Sequence, residues 1–297
     1  MALAELHLHL EGSVEPDTLR QLDPALTDAE IAGAYEFQNF AGFIGAFKWV
    51  AQRLRFPHDY ALVTAALCQR LYEANIIYAE ITLAAGVVLW KGQDLPAIYA
   101  AARGAAVESP VEVKWNLDSI RHFGADLAQQ VAEFAAAEQS NGVVSIGIGG
   151  DEIAGPAVWF AEVYKFAAEH GLRLTAHAGE MAGPESIWSA LEIGTERIGH
   201  GIRAIEDPVL VRHLAQHQIP LEVSITSNVR TGAVASLALH PLRKLFDAGV
   251  PVTLNTDDPA IFGTTLAREF EIARQEFHFT ESELNQLRAN AWRFRFA

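Results

Sequence analysis

The sequence predicts an α/β fold, a single (β/α)8 TIM barrel with a helical insertion after its first strand. Three observations carry this. Eight short β-rich runs recur along the chain, at Ala4–Leu10, Ile76–Ala84, Val111–Ile120, Val143–Ile148, Arg173–Ala178, Arg197–Gly201, Leu221–Thr226 and Val252–Thr256. Several are nearly continuous apolar stretches, the pattern of parallel strands covered by helices. Ala- and Leu-rich segments with helical spacing separate them, among them Ala125–Ala137, Pro156–His170 and Pro208–His217. Eight such units in 297 residues fit one closed barrel, a single domain over 1–297. Gly142, Gly171 and Gly249 stand where a helix should stop before the next strand.

The first strand reads Glu5-Leu6-His7-Leu8-His9-Leu10-Glu11-Gly12. His7 and His9 are two apart, so both face the same way, and Leu6, Leu8 and Leu10 face the other. In a barrel the leucine face meets the helices, leaving two imidazoles at an inner strand end. That placement suits a cation better than an apolar core, although His-x-His alone also fits a surface strand. The connection that follows, 11–75, is far longer than one helix needs and reads as an insertion over the active site. Its aromatics Tyr35, Phe37, Phe40, Phe43, Phe47 and Trp49 either line a pocket or pack the insertion's own core.

The fourth strand ends in Gly149-Gly150-Asp151-Glu152 and carries no lysine. Binuclear relatives of this barrel chemistry commonly place a carboxylated lysine there, so its absence favours one metal ion. The fifth strand closes with His177-Ala178-Gly179-Glu180, the sixth with Gly199-His200-Gly201, the eighth with Thr256-Asp257-Asp258-Pro259. Each polar group falls where a strand meets its βα loop, the end at which barrel active sites form. Asp258, ahead of a proline, could be a helix cap alone. Three imidazoles and a carboxylate, from His7, His9, His177 and Asp257, make a reasonable site for one divalent ion, zinc (Zn2+) before iron, manganese or nickel. Such an ion would acidify a bound water.

Bulk properties narrow the partners. With 22 basic and 37 acidic side chains the net charge is −15, which disfavours nucleic acid and anionic membrane surfaces. No segment approaches the roughly 18–20 apolar residues of a membrane span, and the N-terminus has no signal-peptide pattern. The single cysteine, Cys68, permits no intrachain disulfide and reads as a small buried hydrophobe. A cytoplasmic protein is expected, and the sequence is compatible with a monomer or a homo-oligomer alike.

Taken in order, His-x-His, His-Ala-Gly-Glu, Ile-Gly-His-Gly and Thr-Asp-Asp-Pro resemble the adenosine deaminase family of the amidohydrolase superfamily, from Glu5 to about Ala291. The resemblance implies a zinc-dependent aminohydrolase acting on a small adenine nucleoside. It makes His7, His9, His177 and Asp257 the metal ligands and Glu180 the group that protonates purine N1. It makes His200 the residue that orients the attacking water, Asp258 the partner of N7, and Gly150 the backbone donor to N3. Glu11 stands where animal adenosine deaminases carry an aspartate near the ribose.

Within the family, Ser224-Ile225-Thr226-Ser227-Asn228-Val229-Arg230-Thr231-Gly232-Ala233 looks like the branch that deaminates 6-aminodeoxyfutalosine in menaquinone biosynthesis. That nucleoside carries a benzoate on its 5′ side. Arg230 is the expected cation for the carboxylate, unless it forms a loop salt bridge, and Phe40 or Phe43 the expected apolar wall. The alternatives are a deaminase of adenosine, 5′-methylthioadenosine, adenine or an N6-substituted adenine nucleotide, a metal hydrolase of amides or esters, and a non-catalytic ligand binder.

Overall fold

The computed structural model describes residues 2–296. Eight parallel strands follow one another in spatial order: β1 (Leu3–His9), β2 (Ile76–Leu83), β3 (Glu112–Ile120), β4 (Val143–Gly149), β5 (Arg173–Ala178), β6 (Arg197–His200), β7 (Leu221–Val223) and β8 (Val252–Leu254). Helices separate them, as a (β/α)8 barrel requires. Among the described residues no helix is long and apolar enough to cross a membrane.

The eighth strand meets the first mainly at the rim. His9 N–H donates to the Asp257 carbonyl at 2.8 Å, and Asp257 N–H to the His7 carbonyl at 3.1 Å. Below that, Asn255 Oδ1 accepts the amides of Leu6 and His7 at 3.0 and 3.1 Å. A side chain thus substitutes for part of the β8–β1 ladder and ties β1 to its neighbour.

The strand faces divide as alternation requires. Leu8 and Leu10 join the main apolar core, and Leu6 packs with Ala4, Tyr78 and Ala291. The barrel interior is unusually polar: Glu5, Glu80, Asn116, Arg197 and Glu222 are all buried. Helices occupy Ala125–Ala137 and Pro208–His217. The stretch expected as one helix at Pro156–His170 begins as a 3₁₀ turn, Ala157–Phe160, before the α-helix Ala161–Glu169, a common way for a helix to start. Gly142, Gly171 and Gly249 all have positive φ. Cys68 is buried, which pushes its thiol up to about 11 and leaves it inert.

Two strands end sooner than the apolar pattern suggests. The apolar pattern carries β7 through Thr226, but the chain turns after Val223 into the helix Ile225–Arg230. β8 stops at Leu254, where the Asn255 side chain takes over the pairing with β1. Between β1 and β2 the chain forms the helices Pro16–Leu22, Asp28–Ala34, Phe40–Ala51 and Pro57–Glu73. The last of these packs on β2 and on the helix Leu95–Val107, in the position of an outer-ring helix.

Candidate active site

Five side chains from four strand ends converge on one point. His7 and His9 come from β1, His177 from β5 and His200 from β6, while Asp257 follows β8. His7 Nε2 and His9 Nε2 each lie 3.3 Å from Asp257 Oδ1, and His9 Nε2 lies 3.2 Å from His177 Nε2. Ligand-type atoms of His7, His177, His200 and Asp257 all fall within 4.8 Å of one another. His200 and Asp257 both have left-handed φ, 63° and 65°. Non-glycine residues adopt that conformation at a cost, and such strain collects at functional sites.

The donor set fits a cation. His7 Nε2 is buried without a hydrogen-bond partner, and its other nitrogen, Nδ1, donates to Glu222 Oε2 at 2.8 Å. That hydrogen bond leaves the Nε2 lone pair turned inward, the usual arrangement behind a metal-binding histidine. Burial opposes charge on His7, but the carboxylates of Asp257, 3.3 Å from Nε2, and Glu222, which accepts from Nδ1, outweigh it and push the group up to about 10. The field at Nε2 therefore favours positive charge. Burial holds His9 down at about 4 and His177 well below its ordinary value, so both offer neutral nitrogens. Asp257 Oδ2 accepts from Ser227 Oγ at 2.7 Å.

Two carboxyl groups flank this cluster. Burial first, then the neighbouring Asp257 and Glu152, raise Glu180 well above the ordinary carboxylate range. Its Oε2 lies 3.7 Å from His200 Nε2. Glu152 organises the loop beneath it, accepting the amides of Gly179, Glu180 and Met181 at 2.6, 2.9 and 2.9 Å and Ser186 Oγ at 2.6 Å. Asp258 is buried, with Oδ1 unpartnered. Burial and the adjacent Asp257 carboxylate raise it well above its ordinary value. A protonated carboxyl there can donate a hydrogen bond as well as accept one.

Asp258 needs a glycine opposite. A Cβ added at Gly12 would fall onto the Asp258 carboxyl. Gly12→Ala is expected to displace Asp258 and lower kcat/KM by about 10-fold, the worth of one neutral hydrogen bond of roughly 1.5 kcal/mol. Steady-state kinetics together with metal content near the wild-type level would show that the loss is local.

A cavity of about 400 Å³ opens over the cluster, within the roughly 300–1,000 Å³ typical of small-molecule sites. His9, His177, Glu180, His200, Asp257, Asp258 and Gly150 line its inner part. Phe40, Phe43 and Phe47, spaced along the helix Phe40–Ala51, line its wall. Tyr35 and Trp49 pack within the connection instead, Tyr35 Oη donating to the Val14 carbonyl at 2.6 Å, and Phe37 packs against Phe43 and, beyond the connection, Phe262. The aromatics of this segment thus divide between the two roles considered from sequence.

Arg230 and Glu11 are not among the lining residues. Arg230 donates to the carbonyls of Ile261 at 3.2 Å and Tyr35 at 2.9 Å, with its guanidinium over Phe37. It sits on a helix, about 200° round from Asn228 at roughly 100° per residue, so it faces away from the cluster. Nor, among the described residues, does it form the loop salt bridge that was the alternative. Glu11 accepts the Ala84 amide at 3.1 Å. The cations at the cavity are Lys48 and Lys91, of which Lys91 donates to the carbonyls of Ala51 and Leu54 at 2.6 and 2.7 Å. Lys48 is exposed and forms no ion pair among the described residues. It stands near His122, and Trp90 stacks on Phe123 beside them at 5.1 Å.

Sequence reasoning assigned no role to Glu152, Glu222, Asn228, His240, Asp118 or Lys48. Asp118 lines the cavity, buried, with Oδ1 unpartnered. Burial pushes it up to about 7. A carboxylate within an apolar strand was the visible signal for Asp118 and Glu222.

Known proteins resemble this chain along its length. The family model described as adenosine deaminase matches residues 2–297. The aminodeoxyfutalosine deaminase of Streptomyces avermitilis is 36% identical, over 97% of this chain and 84% of its own. The crystal structure of adenine deaminase from Arthrobacter aurescens superposes with a TM-score of 0.93 at 32% identity, covering 100% of this chain and 94% of its own. An amidohydrolase structure from Burkhoderia ambifaria with bound zinc gives a TM-score of 0.92 at 25% identity, covering 100% of this chain and 86% of its own.

Proposed function

The chain belongs to the adenosine deaminase family of the amidohydrolase superfamily and is a hydrolytic C–N deaminase, and from that premise we propose that its substrate is an adenine nucleoside, 6-aminodeoxyfutalosine, deaminated to futalosine in menaquinone biosynthesis. The observation that carries the substrate is the outer cavity. It runs past Glu180 and Asp258 to Lys48, His122 and the Trp90–Phe123 stack. A 5′ benzoate would set its ring against these aromatic walls, Phe40 and Phe43 included, and its carboxylate toward Lys48. Lys48 replaces Arg230 in this reading, since Arg230 is held by two carbonyls away from the cavity.

His7, His9, His177 and Asp257 would hold one divalent ion, Zn2+. When bound, such an ion acidifies water and makes a nucleophile available near neutral pH. The remaining chemistry belongs to the chain. Glu180, its carboxyl held protonated by burial and nearby charge, donates to ring nitrogen N1 as water attacks the adjacent amine-bearing carbon. N1 protonation lowers the cost of breaking the ring's aromaticity. His200 orients the water, Asp258 donates to N7, and the Gly150 amide meets N3. The Glu180 carboxylate so formed takes a proton from the oxygen that has added and passes it to the amine; ammonia leaves, the remaining oxygen proton returns to Glu180, and a 6-oxo purine remains.

Likeness to the Arthrobacter aurescens enzyme favours a second reading, adenine itself. Rates of ammonia release from aminodeoxyfutalosine, adenosine, 5′-methylthioadenosine and adenine separate the two. The nucleoside reading requires the highest kcat/KM for aminodeoxyfutalosine; preference for adenine would overturn it. Lys48→Ala should lower kcat/KM for aminodeoxyfutalosine about 10-fold more than for adenosine, the worth of roughly 1.4 kcal/mol of charge-assisted hydrogen bonding. An equal fall for both would remove Lys48 from carboxylate recognition.

A further inference from the structure

We propose that Asn228 and His240 are positioning residues that fix His200 in a single tautomer, with its proton on Nε2. This makes His200 a hydrogen-bond donor beside the metal ligands and keeps it from becoming one of them. The functional meaning rests on the deaminase reading; the tautomer itself does not.

The assignment follows from hydrogen-bond directions, starting at a backbone amide. Leu242 N–H can only donate, and it lies 3.2 Å from His240 Nδ1. That nitrogen must therefore accept, and a neutral His240 carries its proton on Nε2. Burial holds His240 down at about 3, so the ring is neutral. Its Nε2–H donates to Asn228 Oδ1 at 3.2 Å. The amide orientation of Asn228 is thereby set, and its Nδ2–H donates to His200 Nδ1 at 3.0 Å. His200 Nδ1 is the acceptor, and the proton of the neutral ring sits on Nε2. Asn228, the middle member, is completely buried, so no water competes for its amide.

The consequence is specific to this cluster. His200 Nε2 lies 3.8 Å from Asp257 Oδ2 and 3.7 Å from Glu180 Oε2. By proximity alone it groups with His7, His177 and Asp257 as a candidate ligand. A protonated nitrogen has no lone pair to offer a cation. The chain from Leu242 thus separates two kinds of histidine in one space. Glu222 takes the Nδ1 proton of His7 and leaves Nε2 free, while Asn228 fills the Nδ1 lone pair of His200 and leaves Nε2 protonated. A water held beside these groups would receive a hydrogen bond from Nε2–H, and His200 could not accept a proton from it, which assigns proton transfer to Glu180.

Nitrogen-15 histidine NMR of the zinc-loaded protein tests the tautomer directly, with His200 assigned by loss of its signals in His200→Gln. A protonated Nε2 and an unprotonated Nδ1 are expected; the reverse pattern overturns the proposal. Asn228→Asp offers an acceptor to both rings and should move the His200 proton to Nδ1. Its kcat should fall about 100-fold or more, with KM within about 3-fold and one zinc retained, since a wrong histidine tautomer costs up to about 10⁴-fold in a known triad. An Asn228→Asp protein with wild-type kcat and unchanged His200 signals overturns the proposal. Should that variant fail to fold, His240→Ala and His240→Gln decide: glutamine keeps a donor near the Nε2 position and should recover most of the kcat lost with alanine. Equal loss in both would count against the relay. A wild-type protein with Nε2–H on His200 but no ammonia release from any adenine compound would sink the deaminase reading and leave the tautomer standing.

Discussion

Glu180→Gln is expected to lower kcat by about 10³-fold, within the roughly 10²–10⁴-fold usual for a general acid–base residue. The substitution is close to isosteric, and the surrounding loop should survive it. Glu152 holds that loop through the backbone amides of Gly179, Glu180 and Met181, none of which depends on the Glu180 side chain. Thr231 Oγ1, 3.4 Å from Glu180 Oε1, can face an amide as well as a carboxyl. What glutamine cannot do is hold and release a proton. In the wild type, burial and the charges of Asp257 and Glu152 keep that proton on Glu180 far above the ordinary carboxylate range. Steady-state kinetics with metal analysis checks the prediction: KM and bound metal should stay near wild type while kcat collapses. Full activity with metal retained would remove Glu180 from the mechanism and, with it, N1 protonation as the driving step.

Much of this site was legible because barrel geometry converts sequence order into spatial convergence. His7, His177, His200 and Asp257 are up to 250 residues apart in sequence, yet each closes a strand, and all strands of a barrel end on one rim. Apolar runs located the eight strands for the same reason: parallel strands covered by helices must be apolar on the outside. Reading failed where local pattern and tertiary demand diverge. Thr226 reads as strand in Leu221–Thr226, but the chain turns to place Ser227 against Asp257 and Asn228 against His200. That turn puts Arg230 on the far side of a helix, a direction no strand assignment could show. Lys48 carried no signal, since an exposed lysine on a helix is ordinary. Asn228 and His240 gain their meaning only from contacts across the fold. Glu222 and Arg197 did leave a trace, as charged residues in short apolar strands, but their partners were invisible.

Those partners make Arg197 the position where one substitution should do most damage to the fold. Arg197 bonds to Glu80, pairs with Glu222 at 2.6 Å and donates to the Phe294 carbonyl at 2.8 Å, its guanidinium 3.6 Å above Phe296. All three charged groups are buried. Arg197→Met retains much of the volume but strands two carboxylates in a low-dielectric interior. Removing one partner of a buried ion pair costs about 3–5 kcal/mol, chiefly the penalty of the charge left behind. A urea midpoint should fall accordingly at neutral pH. The sign of the pH dependence follows from Glu222. Burial opposes its ionisation, but Arg197 and His7 outweigh burial and hold it below the ordinary range. In the wild type its contribution is present above the unfolded carboxylate pKa and is lost as pH falls through the folded value. Without Arg197 the folded value rises, so the variant takes up a proton in its native state and sheds part of its penalty in mild acid. The stability gap between variant and wild type should therefore narrow as pH is lowered from neutral. Glu222 also receives the Nδ1 proton of His7. Once Glu222 is protonated, His7 loses the acceptor that orients it, and affinity for the metal should drop by about 10- to 100-fold, the usual cost of losing such a partner. Chelator competition on Arg197→Met reads that loss separately from the urea midpoint. A variant with weakened folding but wild-type metal affinity would show that Glu222 orients His7 without help from Arg197.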